Sequence, residues 1–173
     1  MTRYVALLRG INVGGVRIKM ADLAALFTGI GLANVRTVLA SGNVLFDADG
    51  TATDLKARIE HSLSDTFGYD AYVFVHPQSY LSAVAEAYPF DEDVDGRHSY
   101  AVFVADDSVL GELAGLGNTL DPTVEQIALG DGVVYWEVQK GATIGSDFSK
   151  KIGAARYKPV TTNRNMRTVR KLL

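Results

Sequence analysis

The chain opens on an apolar run, Tyr4–Arg9, that reads as a buried strand. The pattern then changes period. Over Met20–Ile30 the apolar residues Leu23, Leu26 and Phe27 recur at helical spacing, and Gly29 and Gly31 stop the run. Asn34–Leu39 is β-branched and extended, Ser41-Gly42-Asn43 is a tight turn, and Val44–Asp47 returns antiparallel. Asp54–Phe67 carries Leu55, Ile59, Leu63 and Phe67 as one helical stripe, ended by Gly68. Ala71–Val75 predicts a fourth strand. His76-Pro77 predicts the start of a helix whose apolar face is Tyr80, Leu81, Val84 and Ala85.

The order βαββαβ is that of a split βαβ, ferredoxin-like unit. An acidic loop, Asp91–Arg97, follows as the expected boundary. Beyond it, Ser99–Ala105 reads as a strand and Ser108–Gly115 as a short helix. Glu125–Leu129 and Val133–Gln139 form a hairpin around Gly130-Asp131-Gly132. Ser146 caps a helix over Asp147–Ala155, and Asn165–Leu173 forms a terminal amphipathic helix with Asn165 or Thr162 as its cap. The expectation is an α+β chain of two sequential ferredoxin-like units, with mainly antiparallel sheets covered by helices. The first unit spans 1–90 and a second, partial unit with a C-terminal helix spans 98–173, together in one compact globule.

Composition adds little to the fold but restricts the chemistry. With 173 residues the chain is long enough for a sizeable core. It has no cysteine, which excludes disulfides, thiolate catalysis and cysteine-bound metals. No secretory signal order and no membrane-length apolar run is visible, so a cytoplasmic protein with no membrane partner is expected. The net charge of −3 hides a strong asymmetry. Residues 1–19 and 140–173 hold 13 of the 17 cations and one of the 20 acids. Two readings stay open. Either the basic ends meet an anionic partner, or they lie against the acidic middle within the fold.

The candidate chemistry starts at the turn after the first strand. Gly10 and Gly15 hold the glycine frame of a phosphate loop, but Val16-Arg17 stands where that loop needs Lys-Ser/Thr. A nucleotide triphosphatase is therefore disfavoured. The turn remains either an anion contact built on Arg9, Gly10, Asn12, Gly14, Gly15 and Lys19, or a sharp bend that Asn12 bonds to. In a ferredoxin-like sheet the third strand starts beside the end of the first. That places Ser41 and Asn43 near Arg9 and Gly10. Arg164, Asn165, Thr168 and Lys171 surround the start of the last helix, a second basic position suited to an anion or simply to a docked, capped end.

His61, His76 and His98 lack metal-ligand spacing, and the calcium-like run from Asp91 has Val102 where a closing Glu belongs. No metal and no cofactor is expected. Tyr72 and Phe74 share one strand face, as do Tyr135 and Val133, positions open to packing or to base stacking. The basic-Gly-aromatic run of RNA-binding sheets is missing.

Several stretches together resemble an uncharacterised bacterial domain-of-unknown-function family. They are Ala6–Gly15 (ALLRGINVGG), Lys19-Met20, Val35-Arg36-Thr37, Ser41-Gly42-Asn43, and Thr162, Arg164-Asn165, Thr168-Val169 and Lys171-Leu172. The resemblance runs from residue 4 to 172. It implies a compact α+β protein with ferredoxin-like elements and supplies no reaction. The chain departs from the family's pattern at Met166, where a large aromatic is expected, and at Leu39-Ala40, where a polar residue is common. The functional expectation is a protein that binds an anionic ligand (nucleotide, phosphometabolite or nucleic acid) at a basic surface built from the glycine-rich turn and the C-terminal helix. The alternatives are an enzyme acting on a phosphorylated or carboxylated metabolite, with Arg9 and Arg164 as the clamp, and a structural module without a small ligand.

Overall fold

The computed structural model describes residues 1–173. The chain divides into two compact units, Met1–Leu81 with Lys171–Leu173, and Ser82–Arg170.

Unit 1 is built from β1 (Thr2–Leu8), α1 (Met20–Gly29), β2 (Ala33–Thr37), β3 (Asn43–Ala48), α2 (Ala52–Phe67) and β4 (Val73–Pro77), and α3 (Gln78–Glu86) begins at its end. The sheet order is β2-β3-β1-β4 with every pair antiparallel, consistent with a ferredoxin-like unit. Helix α2 forms where its stripe allows. Thr51 caps it, accepting from the Asp54 amide at 3.1 Å, and Gly68 ends it in a left-handed conformation. Its buried face, Leu55, Ile59 and Leu63, joins Leu23 and Phe27 of α1 against Tyr4, Ala6, Leu8, Val44 and Phe46 of the sheet. Burying such side chains contributes about 1.5–3 kcal/mol each. One expectation needs correcting. His76-Pro77 does not start a helix. Both residues still pair with β1, at Val5 and Tyr4, so the strand runs through Pro77 and α3 starts at Gln78. β4 is an edge strand, where proline's missing N–H is tolerated.

Unit 2 repeats the plan with β5 (Arg97–Val104), α4 (Asp107–Ala114), β6 (Glu125–Leu129), β7 (Val133–Gln139), α5 (Asp147–Ile152), β8 (Thr161–Asn165) and α6 (Met166–Lys171). Its order, β6-β7-β5-β8, matches that of unit 1 strand for strand. The fourth strand, β8, is absent from the sequence-based reading. With it the second unit is complete rather than partial, and the terminal helix starts at Met166. Helix α5 is also shorter than expected and ends at Ile152, with a 3-10 turn at Ala155–Tyr157. Ser146 does cap it, accepting from the Ser149 amide. Trp136, Phe148, Tyr157, Val102, Val134 and Leu113 form the helix-covered core.

His76 gives the fold a pH dependence. Burial, and secondarily the Lys56 charge, pull its pKa down to about 4. The native imidazole is therefore neutral where the unfolded one, near 6.5, takes a proton. That stability is full above pH 6.5 and is lost as pH falls towards 4, by about 2 kcal/mol after allowance for residual exposure. The depressed carboxylates Asp47, Asp106, Glu112 and Asp121 add their own losses from about pH 5 downwards, so the fall between pH 6.5 and 5 belongs to the histidine. Urea midpoints at pH 7 and 4.5 test it. His76→Gln should flatten the slope, and an unchanged slope refutes the assignment.

Candidate functional site

The loop between β1 and α1, residues 9–19, is held by one asparagine. The Asn12 side chain accepts from the Ile18 amide at 3.0 Å and donates to the carbonyls of Ile18 and Ala40, at 3.2 and 2.7 Å. Its own amide donates to the Val16 carbonyl at 2.7 Å. Asn12 adopts φ 56°, a left-handed conformation asparagine tolerates through such local bonds. The loop is thereby closed on itself and tied to the β2–β3 connection.

That connection, Val38–Gly42, lies where topology placed it. Leu7 pairs with Asn43, and the Leu8 amide donates to the Gly42 carbonyl at 2.8 Å, so β3 starts beside the end of β1. Asn43 is fully buried, and its amide donates to the Val38 carbonyl and the Ser41 hydroxyl. Gly42 and Leu39 both have positive φ, 87° and 62°. For leucine this conformation is strained, and such strain persists only where surrounding bonds enforce it.

Arg9 differs from these neighbours. Its amide donates to the Tyr72 carbonyl at 3.0 Å, but its half-buried guanidinium makes no ion pair, and the buried Nε has no acceptor. Burial alone lowers its pKa from the ordinary arginine value. By contrast Arg3 pairs with Asp47 at 3.1 Å, and Asp47 is held below the usual carboxylate range by Asn34 first and Arg3 next. Gly10 and Gly14 also have positive φ, 73° and 96°, so left-handed residues alternate with ordinary ones along the loop. Such alternation turns successive N–H groups towards one side and makes an anion-binding concavity. The amides of Gly14 and Gly15 are exposed and donate to no protein acceptor. Lys19 is exposed at the start of α1.

The C-terminal candidates lie around β8 and α6. Arg164 is buried on β8, and its guanidinium donates to the Thr162 hydroxyl and the Asn163 carbonyl at 2.8 and 2.9 Å. The Asn165 side chain accepts from the Arg167 amide at 2.8 Å, which is the expected cap; Thr162 lies within the strand and does not take that place. Thr168 is half-buried and Lys171 exposed. Asn165 also lines a cavity of about 50 Å³ with His98, Ser99 and Arg167, room for a water or two. A groove of about 520 Å³ between α1 and α2, lined by Leu26, Ile30, His61, Asp65 and Phe67, contains none of the expected residues. No group of three potential ligands for a metal occurs.

The second reading of the charge asymmetry, basic ends against the acidic middle, holds for four cations. Arg3, Lys151, Arg156 and Arg170 pair with acids of the middle segment, Asp47, Glu112 and Glu92. Arg9, Arg17 and Lys19 pair with none. The sequence reading missed Glu125, a buried carboxylate that accepts from the Trp136 indole and the Phe148 amide. No helix is long and apolar enough to cross a membrane.

A family model described as "Protein of unknown function (DUF1697)" matches residues 1–135. Among solved structures, the conserved bacterial protein SP0830 from Streptococcus pneumoniae superposes with a TM-score of 0.80 at 23% identity, covering 99% of this chain and 96% of that one. At that identity the likeness establishes the fold alone. No curated protein matches the chain.

Proposed function

We propose, for a chain that belongs to the DUF1697 family of proteins of unknown function, that the Arg9–Lys19 loop binds an anionic ligand. The observation that carries this reading is the Arg9 side chain. A half-buried cation without a counter-charge loses hydration and gains nothing in return. An anion beside it offsets that loss. Gly14 and Gly15 add unpaired amides, and Lys19 adds a second positive charge. In this reading Asn12, Ser41 and Asn43 act as scaffold, because their side chains bond to neighbouring loop atoms.

Two of the C-terminal set act as scaffold in the same way. Arg164 and Asn165 shape β8 and the start of α6 through their own hydrogen bonds.

Calorimetric titration with pyrophosphate tests the proposal. Arg9→Ala should weaken binding about tenfold or more, and the wild-type affinity should fall with salt. Absence of binding to the wild type, or equal binding by Arg9→Ala, refutes it.

A further inference from the structure

We propose that the anion at the Arg9 loop is the phosphate of a nucleoside phosphate, free or within a single strand, and that Tyr72 supplies a face for its base. This rests on the anion-binding reading above and adds a ligand class and a residue to it.

The β1–β4 ladder pairs Leu8 with Val73, and the next bond runs from the Arg9 amide to the Tyr72 carbonyl. Residues directly opposite in an antiparallel ladder project to the same face. Leu8 and Val73 point into the helix-covered core, so Arg9 and Tyr72 share the other face. They stand next to each other where the ladder ends and the glycine loop begins.

Neither side chain is committed. The Arg9 guanidinium has no ion pair. Tyr72 remains partly exposed, its ring meets no other ring, and its hydroxyl has no partner. Tyr4 and Tyr135, both buried, are tied down, although the Tyr88 hydroxyl is buried without a partner as well. The Tyr4 hydroxyl donates to the Gly50 carbonyl, and Tyr135 donates to the Val84 carbonyl. An uncommitted aromatic beside an uncommitted cation fits a ligand that presents a planar ring next to a negative charge. Bases stack on aromatic side chains while cations and backbone amides take the phosphate. A ligand with phosphate alone leaves Tyr72 unused.

The test compares ribose 5-phosphate, adenosine monophosphate and a single-stranded oligothymidylate by calorimetry. The two base-containing ligands should bind more tightly than ribose 5-phosphate. Tyr72→Ala should lower their affinity about tenfold and leave ribose 5-phosphate unchanged. Tyr72→Phe should retain binding, which controls for folding, with circular dichroism as the check on both variants. Tighter binding of the mononucleotide identifies a free ligand, and tighter binding of the oligonucleotide a strand. If adenosine monophosphate and ribose 5-phosphate bind alike, or Tyr72→Ala weakens all three equally, the base assignment is wrong while the anion site stands. If none of the three binds, and pyrophosphate does not, the anion site fails and this proposal with it.

Discussion

Gly42→Ala should destabilise unit 1 by about 3–4 kcal/mol, a large share of the roughly 5–15 kcal/mol that holds a domain folded. Two effects add. Gly42 has φ 87°, a left-handed conformation that costs an L-residue about 1–2 kcal/mol. A Cβ there would also lie 2.8 Å from Ile11 Cδ1 and 2.9 Å from Leu8 Cβ. Ile11 Cδ1 is the end of a flexible side chain and can yield. Leu8 Cβ is fixed by a strand paired on both sides, so β1 itself must shift, and such overpacking costs about 1–3 kcal/mol. Gly68→Ala is the control, because Gly68 has φ 68° with open space around the added carbon. It should cost the left-handed penalty alone, about 1–2 kcal/mol. The only tryptophan lies in unit 2, so the transition of unit 1 is followed by far-ultraviolet circular dichroism in urea. Equal losses in the two variants would mean that the close approach contributes nothing. The same contact seats the Arg9–Lys19 loop, since the Gly42 carbonyl also accepts the Leu8 amide just before Arg9.

The elements that were legible are those whose burial follows a period. Helices α1 and α2 and strands β6 and β7 lie where their apolar residues and turn glycines put them. Strand β8 was invisible for a physical reason. Thr161-Thr162-Asn163-Arg164-Asn165 holds no apolar residue, yet Thr161, Thr162 and Arg164 are buried. Its backbone pairing with β5, from Val104↔Thr161 to Tyr100↔Asn165, makes it a strand. Strand formation depends on such context more than on composition. In the candidate site, the closeness of Ser41-Gly42-Asn43 to the end of β1 followed from topology. The isolation of Arg9 did not, because it depends on which carboxylates the fold leaves out of reach. From the sequence Asp47 could have served Arg3 or Arg9, and the register gives it to Arg3. Glu125 was missed for a related reason: its donors lie 11 and 23 residues away, in two other elements.

Glu125→Ala should cost unit 2 about 3–4 kcal/mol. The carboxylate is 2% exposed and serves two buried donors, Trp136 Nε1 at 2.9 Å and the Phe148 amide at 3.3 Å. Removing it leaves both without an acceptor, and each lost charge-assisted bond costs about 1.5–3 kcal/mol. The loss reaches beyond those two groups. Trp136 packs on Phe148 with ring centroids 5.3 Å apart and on Tyr100 at 5.1 Å, so the freed indole borders the main aromatic cluster. The Phe148 amide lies in the first turn of α5, where it needs an acceptor outside the helix. Glu125→Gln separates charge from shape. Its carbonyl oxygen can serve one donor, but its NH₂ then faces the other, so about half the loss should remain. Trp136 fluorescence reports the site directly, and urea unfolding followed at that signal gives both values. A double-mutant cycle with Trp136→Phe should show coupling of about 1 kcal/mol or more through the indole bond. A loss below about 1 kcal/mol in Glu125→Ala, with the fluorescence unshifted, would mean that water replaces the carboxylate and that the sheet and α5 are held by packing alone.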